Sequence, residues 1–324
     1  MEKIVLLDTS VGSTNKGDEI IVRCIEEELA PLLCKYYVLK IPTHLCAFSA
    51  LECIGHLPDS AAEVASSKYK FVCGTNLLAD RMLHRTNQWN VNLFNCRPIK
   101  DSILVGVGGL KTGRLDRYTS ALYRKVLSKQ YLHSVRDQQA YDLLNRLGIK
   151  CLNTGCVTLW KLIPEFCAKI PTEKADRVIF TLTDYRRDRE IDKYLVETIK
   201  KNYHKVYFWI QGIHDLEYLQ ELTDISGIKI VGPSVNEYEH ILNKYKPIDY
   251  VGTRLHAGIF AMRHGIRSIF ICVDSRMHAM SACMVNNCLD RRDIYLLEDK
   301  IIAPLTTSVK LDWDAIEMWK GQFE

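Results

Sequence analysis

The sequence predicts an α/β protein built as two Rossmann-like domains facing a cleft. Three observations predict it. Short apolar strands alternate with helical stretches along the whole chain. That alternation breaks around residues 168–175, where Pro171 stands among polar residues, and then restarts. A length of 324 residues is long for one core and comfortable for two. The expected domains are residues 1–170 and 171–324, with a closing helix that returns to the first. Alternation of this kind implies parallel sheets covered by helices on both faces.

The first strand, residues 3–8, is a continuous apolar run that ends in a small-residue loop, Thr9-Ser-Val-Gly12-Ser-Thr-Asn15-Lys-Gly17. A helix is expected from Asp18-Glu19, since acids in a first turn complement the helix dipole. Further strands are read at 37–41, 71–73, 103–107, 134–135 and 150–152, with helices at 117–128 and 138–147. In the second half strands are read at 178–182, 206–210, 228–231, 249–251 and 268–273. Helices fall at 190–202, at 216–223, after a Ser234-Val-Asn-Glu237 capping box, after Arg254 and from about Met277. Residues 311–323 form the closing amphipathic helix. Ligands in such folds sit at the carboxyl ends of the strands, so the loops that follow Asp8, Val107, Val135, Leu182, Ile210, Val251 and Val273 are expected to carry the chemistry.

Composition narrows the function classes. Apolar residues make up 47% and charged residues 25%, values of a globular protein rather than a disordered or fibrous one. The net charge of +4 is too small to indicate a nucleic-acid partner. None of the twelve cysteines forms a Cys-x-x-Cys pair, and they read as reduced, small hydrophobes of a cytoplasmic protein. No Cys/His group has zinc spacing, and no metal is expected. The opening apolar run breaks at Asp8, too early for a signal peptide, and nowhere is there a run of about 18 apolar residues that would span a membrane.

Two motifs follow strands. Gly106-Val-Gly108-Gly109-Leu-Lys111-Thr-Gly113-Arg fails both nucleotide patterns: Lys111 stands where a dinucleotide fold needs glycine, and Arg114-Leu115 where a P-loop needs Lys and Ser/Thr. It fits either close backbone approach to a ligand around Gly108 or a tight turn without one. Gly252-Thr-Arg254-Leu255-His256-Ala runs from a strand into a helix. Unpaired first-turn N–H groups and the helix dipole favour an anion there, and Arg254 would add a planar fork. Leu255, Ile259, Met262 and Ile266 mark the expected buried face, leaving Arg254 and His256 off it. The same residues also fit an arginine paired with a structural carboxylate and a histidine that caps or packs. Asn15, Asp18, Arg136, Asp137, Asp184, Arg186, Arg187, Gln211, His214, Asp274 and Arg276 complete the set expected at strand ends.

Four strings carry a family resemblance: Gly12-Ser-Thr-Asn15-Lys-Gly17-Asp18-Glu19, Ser134-Val-Arg136-Asp137, Asn153-Thr-Gly155-Cys156-Val-Thr, and Gly252-Thr-Arg254-Leu255-His256-Ala with a later strand ending in Asp274. In this order they make the chain resemble the polysaccharide pyruvyl transferase family. The resemblance implies a fold similar to GT-B glycosyltransferases and transfer of a pyruvyl group from phosphoenolpyruvate to a sugar as a ketal. No other cofactor is implied. Arg136, Arg254, Leu255 and His256 correspond to donor-binding positions. Arg276, where the family often has lysine, keeps a cationic role only.

His256 is the expected proton-transfer group, since imidazole titrates nearest neutrality, with phosphate binding as its other reading. Asp18 is a candidate base toward an acceptor hydroxyl, or a helix-start acid. Asn15, Gly108, Asp184, Arg186 and His214 are candidate acceptor or cleft residues. The implied acceptor is an oligosaccharide of a surface polysaccharide, including a lipid-linked precursor at the inner membrane face. The alternatives are a nucleotide-sugar glycosyltransferase of the same architecture and a non-catalytic carbohydrate-binding protein.

Overall fold

A computed structural model describes residues 1–53, 55–84, 88–111, 113–274, 277 and 280–323. Among them lie two six-stranded sheets, every paired strand parallel. The first contains β1 (Lys3–Asp8), β2 (Tyr37–Pro42), β3 (Tyr69–Ala79), β4 (Ile103–Leu110), β5 (His133–Val135) and β6 (Cys151–Asn153), in the order β2-β1-β3-β4-β5-β6. The second contains β7 (Arg177–Thr181), β8 (Lys205–Trp209), β9 (Ile228–Val231), β10 (Asp249–Gly252), β11 (Ser268–Cys272) and β12 (Cys288–Asp290), in the order β12-β11-β10-β7-β8-β9. Strand order reverses between β1 and β3 in one sheet and between β7 and β10 in the other, as in doubly wound α/β folds.

Contacts divide the chain into two compact units. One comprises Met1–Ser13, Ile21–Trp160 and Leu311–Glu324, the other Thr14–Ile20 and Lys161–Lys310. The division falls inside the helix Lys16–Glu28.

Each unit is built on its own apolar sheet face. In the first, Val5, Leu7, Val72, Leu104, Val107 and Val135 pack with Leu122, Leu143 and Leu144 from the helices Arg117–Val126 and Gln138–Arg146. In the second, Val178, Phe180, Val206, Phe208, Val251 and Ile269 pack with Leu195 and Ile199 of the helix Arg189–Asn202. Each fully buried side chain of this size contributes roughly 1.5–3 kcal/mol, which is why the strands read as unbroken apolar runs. The closing helix, Trp313–Lys320, lies in the first unit: Trp319 is fully buried and donates to the Leu132 carbonyl at 2.9 Å, and Lys320 pairs with Glu28 at 2.8 Å.

Several elements differ from the sequence expectation. β3 does not end at Cys73. It turns through Thr75, whose φ of 67° is rare for a non-glycine, shifts register before Leu78 and continues to Ala79. β12 has three residues, too few to give a periodic signal. The capping box forms in one direction only: Ser234 accepts from the Glu237 N–H, while its own N–H goes to Gly232. The helix Leu255–Arg263 is not amphipathic, because every residue from Ala257 to Arg263 is buried; Leu255, assigned to the core face, is only half-buried, and Arg254, assigned off it, is buried.

Candidate functional site

The second unit's reversal point brings the carboxyl ends of β7 and β10 side by side. The Thr253 N–H donates to the Thr181 carbonyl at 3.1 Å, and the hydroxyls of Thr183 and Thr253 share a hydrogen bond of 2.9 Å. Arg254 follows as the N-cap residue of the next helix, its side chain 2% exposed. Nε donates to the Leu182 carbonyl at 2.9 Å, and one terminal nitrogen donates to Asp184 at 2.7 Å and, more closely, to Asp215. The Tyr185 ring stands 5.0 Å from the guanidinium carbon. Sequence left two readings for this arginine, and its guanidinium is found paired with two carboxylates.

Two carboxylates face that one guanidinium. Burial works against the Arg254 charge, but Asp215 above all, with Tyr185 and Asp184, more than offsets it and holds its pKa above the ordinary value. Burial pushes the Asp215 carboxyl up, against the pull of Arg254 and the Gly212 N–H, which donates to it at 2.7 Å. Asp215 is fully buried at the start of the helix Asp215–Leu222 and clamps β8's exit to β10's. Arg254 therefore stands as an organiser of three strand ends, with its charge already offset.

Beside this cluster lies the first turn of the helix Lys16–Glu28. The Lys16 N–H donates to the Gln211 carbonyl at 3.0 Å, and Asn15 Oδ1 accepts from Gln211 Nε2 at 2.7 Å and from the Gly17 N–H at 3.0 Å. Gly17 is needed for this approach: a Cβ there would lie 2.9 Å from Gln211 Nε2 and 3.3 Å from His256 Nδ1. Asp18 follows in the same turn and is buried. The structure thus gathers Asn15, Asp18, Asp184, Arg254 and His256 in one unit, as Asn15 and Asp18 belong to the segment counted with it.

The first unit carries a different cation. Arg136 leaves β5, and its side chain is 7% exposed. One terminal nitrogen donates to Asn76 Oδ1 in a short contact, and Nε lies 4.0 Å from Asp137. The other terminal nitrogen, Nη1, is buried without a hydrogen-bond partner among the described residues. Asn76 is delivered by the β3 irregularity at Thr75. Gly108 makes the room: a Cβ there would sit 2.5 Å from Arg136 Nε and 2.7 Å from Asp137 Oδ2. Asp137 itself is spent on backbone, accepting from the Ala140 N–H at 2.8 Å as N-cap and from the Gly109 N–H at 3.1 Å. A buried guanidinium N–H without an acceptor is costly unless a ligand supplies one.

Other predicted residues share the turns that carry Asp184 and Asp215 but expose their side chains. His214 is exposed and pairs with Glu217 at 3.1 Å. Arg186 is exposed on the turn after β7. Arg276 lies outside the described residues. Sequence reasoning missed Asp215, Asn76 and Tyr185. Asp215 looked like an ordinary first-turn acid, and Asn76 was hidden by the misplaced end of β3. Among the described residues no group of three or more His, Cys, Asp or Glu side chains is placed to hold a metal ion, and no helix is long and apolar enough to cross a membrane.

The family model described as polysaccharide pyruvyl transferase matches residues 15–275. No curated protein matches the chain in sequence.

Proposed function

The chain belongs to the polysaccharide pyruvyl transferase family, and from that premise we propose that it transfers a pyruvyl group from phosphoenolpyruvate to two hydroxyls of a surface-polysaccharide sugar or its lipid-linked precursor, forming a ketal. The observation that carries the donor is Arg136: a buried guanidinium whose Nη1 has no acceptor among the described residues suits a carboxylate or phosphate oxygen. In the second unit, Arg254 serves the donor indirectly by fixing the helix start from which the Leu255 and His256 N–H groups project.

The chemistry asks for little beyond positioning and proton transfer. The donor's methylene carbon takes a proton and becomes a methyl group, one sugar hydroxyl adds to the neighbouring carbon, and the second replaces the phosphate there. One hydroxyl proton balances the methyl group, and the other leaves with the phosphate. His256 is the group proposed to move the first proton, and Asp18 to accept one from the acceptor.

Phosphate release from phosphoenolpyruvate in the presence of candidate oligosaccharides tests the reading. The expected product is heavier than the acceptor by one pyruvate less one water. Turnover of nucleotide sugars, with phosphoenolpyruvate untouched, would overturn it.

A further inference from the structure

A groove of about 520 Å³ opens in the first unit where β3 and β4 end against the helix Gln138–Arg146. Its size falls within the range of roughly 300–1,000 Å³ typical of small-molecule sites. Gln139, Asp142 and Arg146 line it from one stripe of the helix, and Asp80 and Lys111 face them from the strand ends. The helix is a fixed wall, capped by Asp137 and drawn against β4 at Gly109, where a Cβ would lie 2.8 Å from the Ala140 nitrogen.

Among the described residues the charges of this lining balance. Asp80 and Asp142 supply two carboxylates, Arg146 and Lys111 two cations. Asp80, 3% exposed, is already paired with Arg146 at 3.0 Å, and Asp142 accepts from Gln138 Nε2 at 2.7 Å. A phosphate or carboxylate ligand would meet as much negative as positive charge. A neutral polyol would find acceptors on the carboxylates, donors on the guanidinium and ammonium, and both on the Gln139 amide. Leu110, 37% exposed at the rim, offers an aliphatic surface to the C–H face of a ring.

We infer that this groove binds a neutral pyranoside, and that, on the pyruvyl transfer reading, it is a subsite for the acceptor oligosaccharide. Gly108 and Gly109 are consecutive on β4. The first borders Arg136 and the second lines the groove, so the groove and the under-compensated cation belong to the same strand end of the first unit.

Saturation-transfer NMR with lactose, cellobiose and maltose, and with inorganic phosphate as the charged probe, tests it on the full chain. Gln139→Trp fills the groove from an exposed helix position, and Asp142→Ala removes one acceptor. The wild type should bind at least one disaccharide saturably, and each variant should weaken it by about tenfold or more, the loss expected for one hydrogen bond to a charged group. Unchanged thermal midpoints and unchanged phosphoenolpyruvate affinity in both variants would locate the loss in the groove. Absence of disaccharide binding, equal binding by both variants, or displacement of the sugar by phosphate would overturn the inference. The sugar readout contains no donor, so a wild type that binds the disaccharide but ignores phosphoenolpyruvate upholds the groove and defeats the donor reading instead.

Discussion

Arg254 and Arg136 both tuck their side chains away from solvent just past the carboxyl end of a parallel strand, yet they are built for different work. Arg254 is enclosed by Leu182, Asp184 and Asp215, and two carboxylates offset its one charge. Arg136 has an amide oxygen, a carboxylate at 4.0 Å that is committed to backbone N–H groups, and a terminal nitrogen with no acceptor among the described residues. A buried charge must be compensated within the fold or by what the fold binds. Full compensation marks the residue that holds strand ends in register; incomplete compensation marks the one proposed to meet an anion.

The largest effect expected is on stability. Arg254→Met strands Asp215 in the interior and should cost roughly 3–5 kcal/mol in denaturant unfolding. Arg136→Met removes a cation that is under-compensated in the free protein and should cost less than about 1 kcal/mol while abolishing transfer. Similar destabilisation by both variants would erase the distinction between the two arginines.

Acid should act next, through the strand that leads into Arg136. His133 on β5 is buried and neutral, accepting from the Leu104 N–H at 3.1 Å and donating to the Ser128 carbonyl at 2.9 Å. Burial lowers its pKa from 6.5 to about 4, against the pull of Ser128. The unfolded chain therefore takes up a proton at higher pH than the folded one. The stabilisation is complete above about pH 6.5 and lost as pH falls toward 4, about 3 kcal/mol in all. Chemical denaturation across that window should show a flatter dependence for His133→Gln than for the wild type; parallel curves would contradict this.

Smaller effects sharpen the second unit's side of the comparison. Gly17→Ala places a methyl group against Gln211 and His256 and should cost about 1–2 kcal/mol, with a loss of activity larger than the loss of folded protein. His214→Ala, at an exposed pair with Glu217, should change stability by no more than about 0.5 kcal/mol and leave turnover within about twofold. A marked activity loss in His214→Ala would return that residue to the site.

These expectations also mark how far the sequence could be read. The strand–helix alternation placed Arg136 after β5 and Arg254 after β10, because an apolar run followed by a polar turn and a helix has a recognisable period. The partners that distinguish the two could not be read. Asp215 lies 39 residues from Arg254 and meets it only through the β7-β8-β10 arrangement, which no local pattern encodes. Asn76 sits within an irregularity that interrupts the strand's alternation. The burial of Ala257–Arg263 on all sides depends on what packs around the helix, so its periodicity suggested one apolar face. Position was legible, but compensation of charge was not, since it is a property of neighbours far apart in the chain.

The most direct test is calorimetric titration of phosphoenolpyruvate into the wild type and Arg136→Gln, with unfolding curves measured on the same samples. Binding weakened by about tenfold or more, as for one lost charge-assisted hydrogen bond, at unchanged stability is the predicted result. Unchanged affinity in Arg136→Gln would contradict the assignment of Arg136 as the donor's cation.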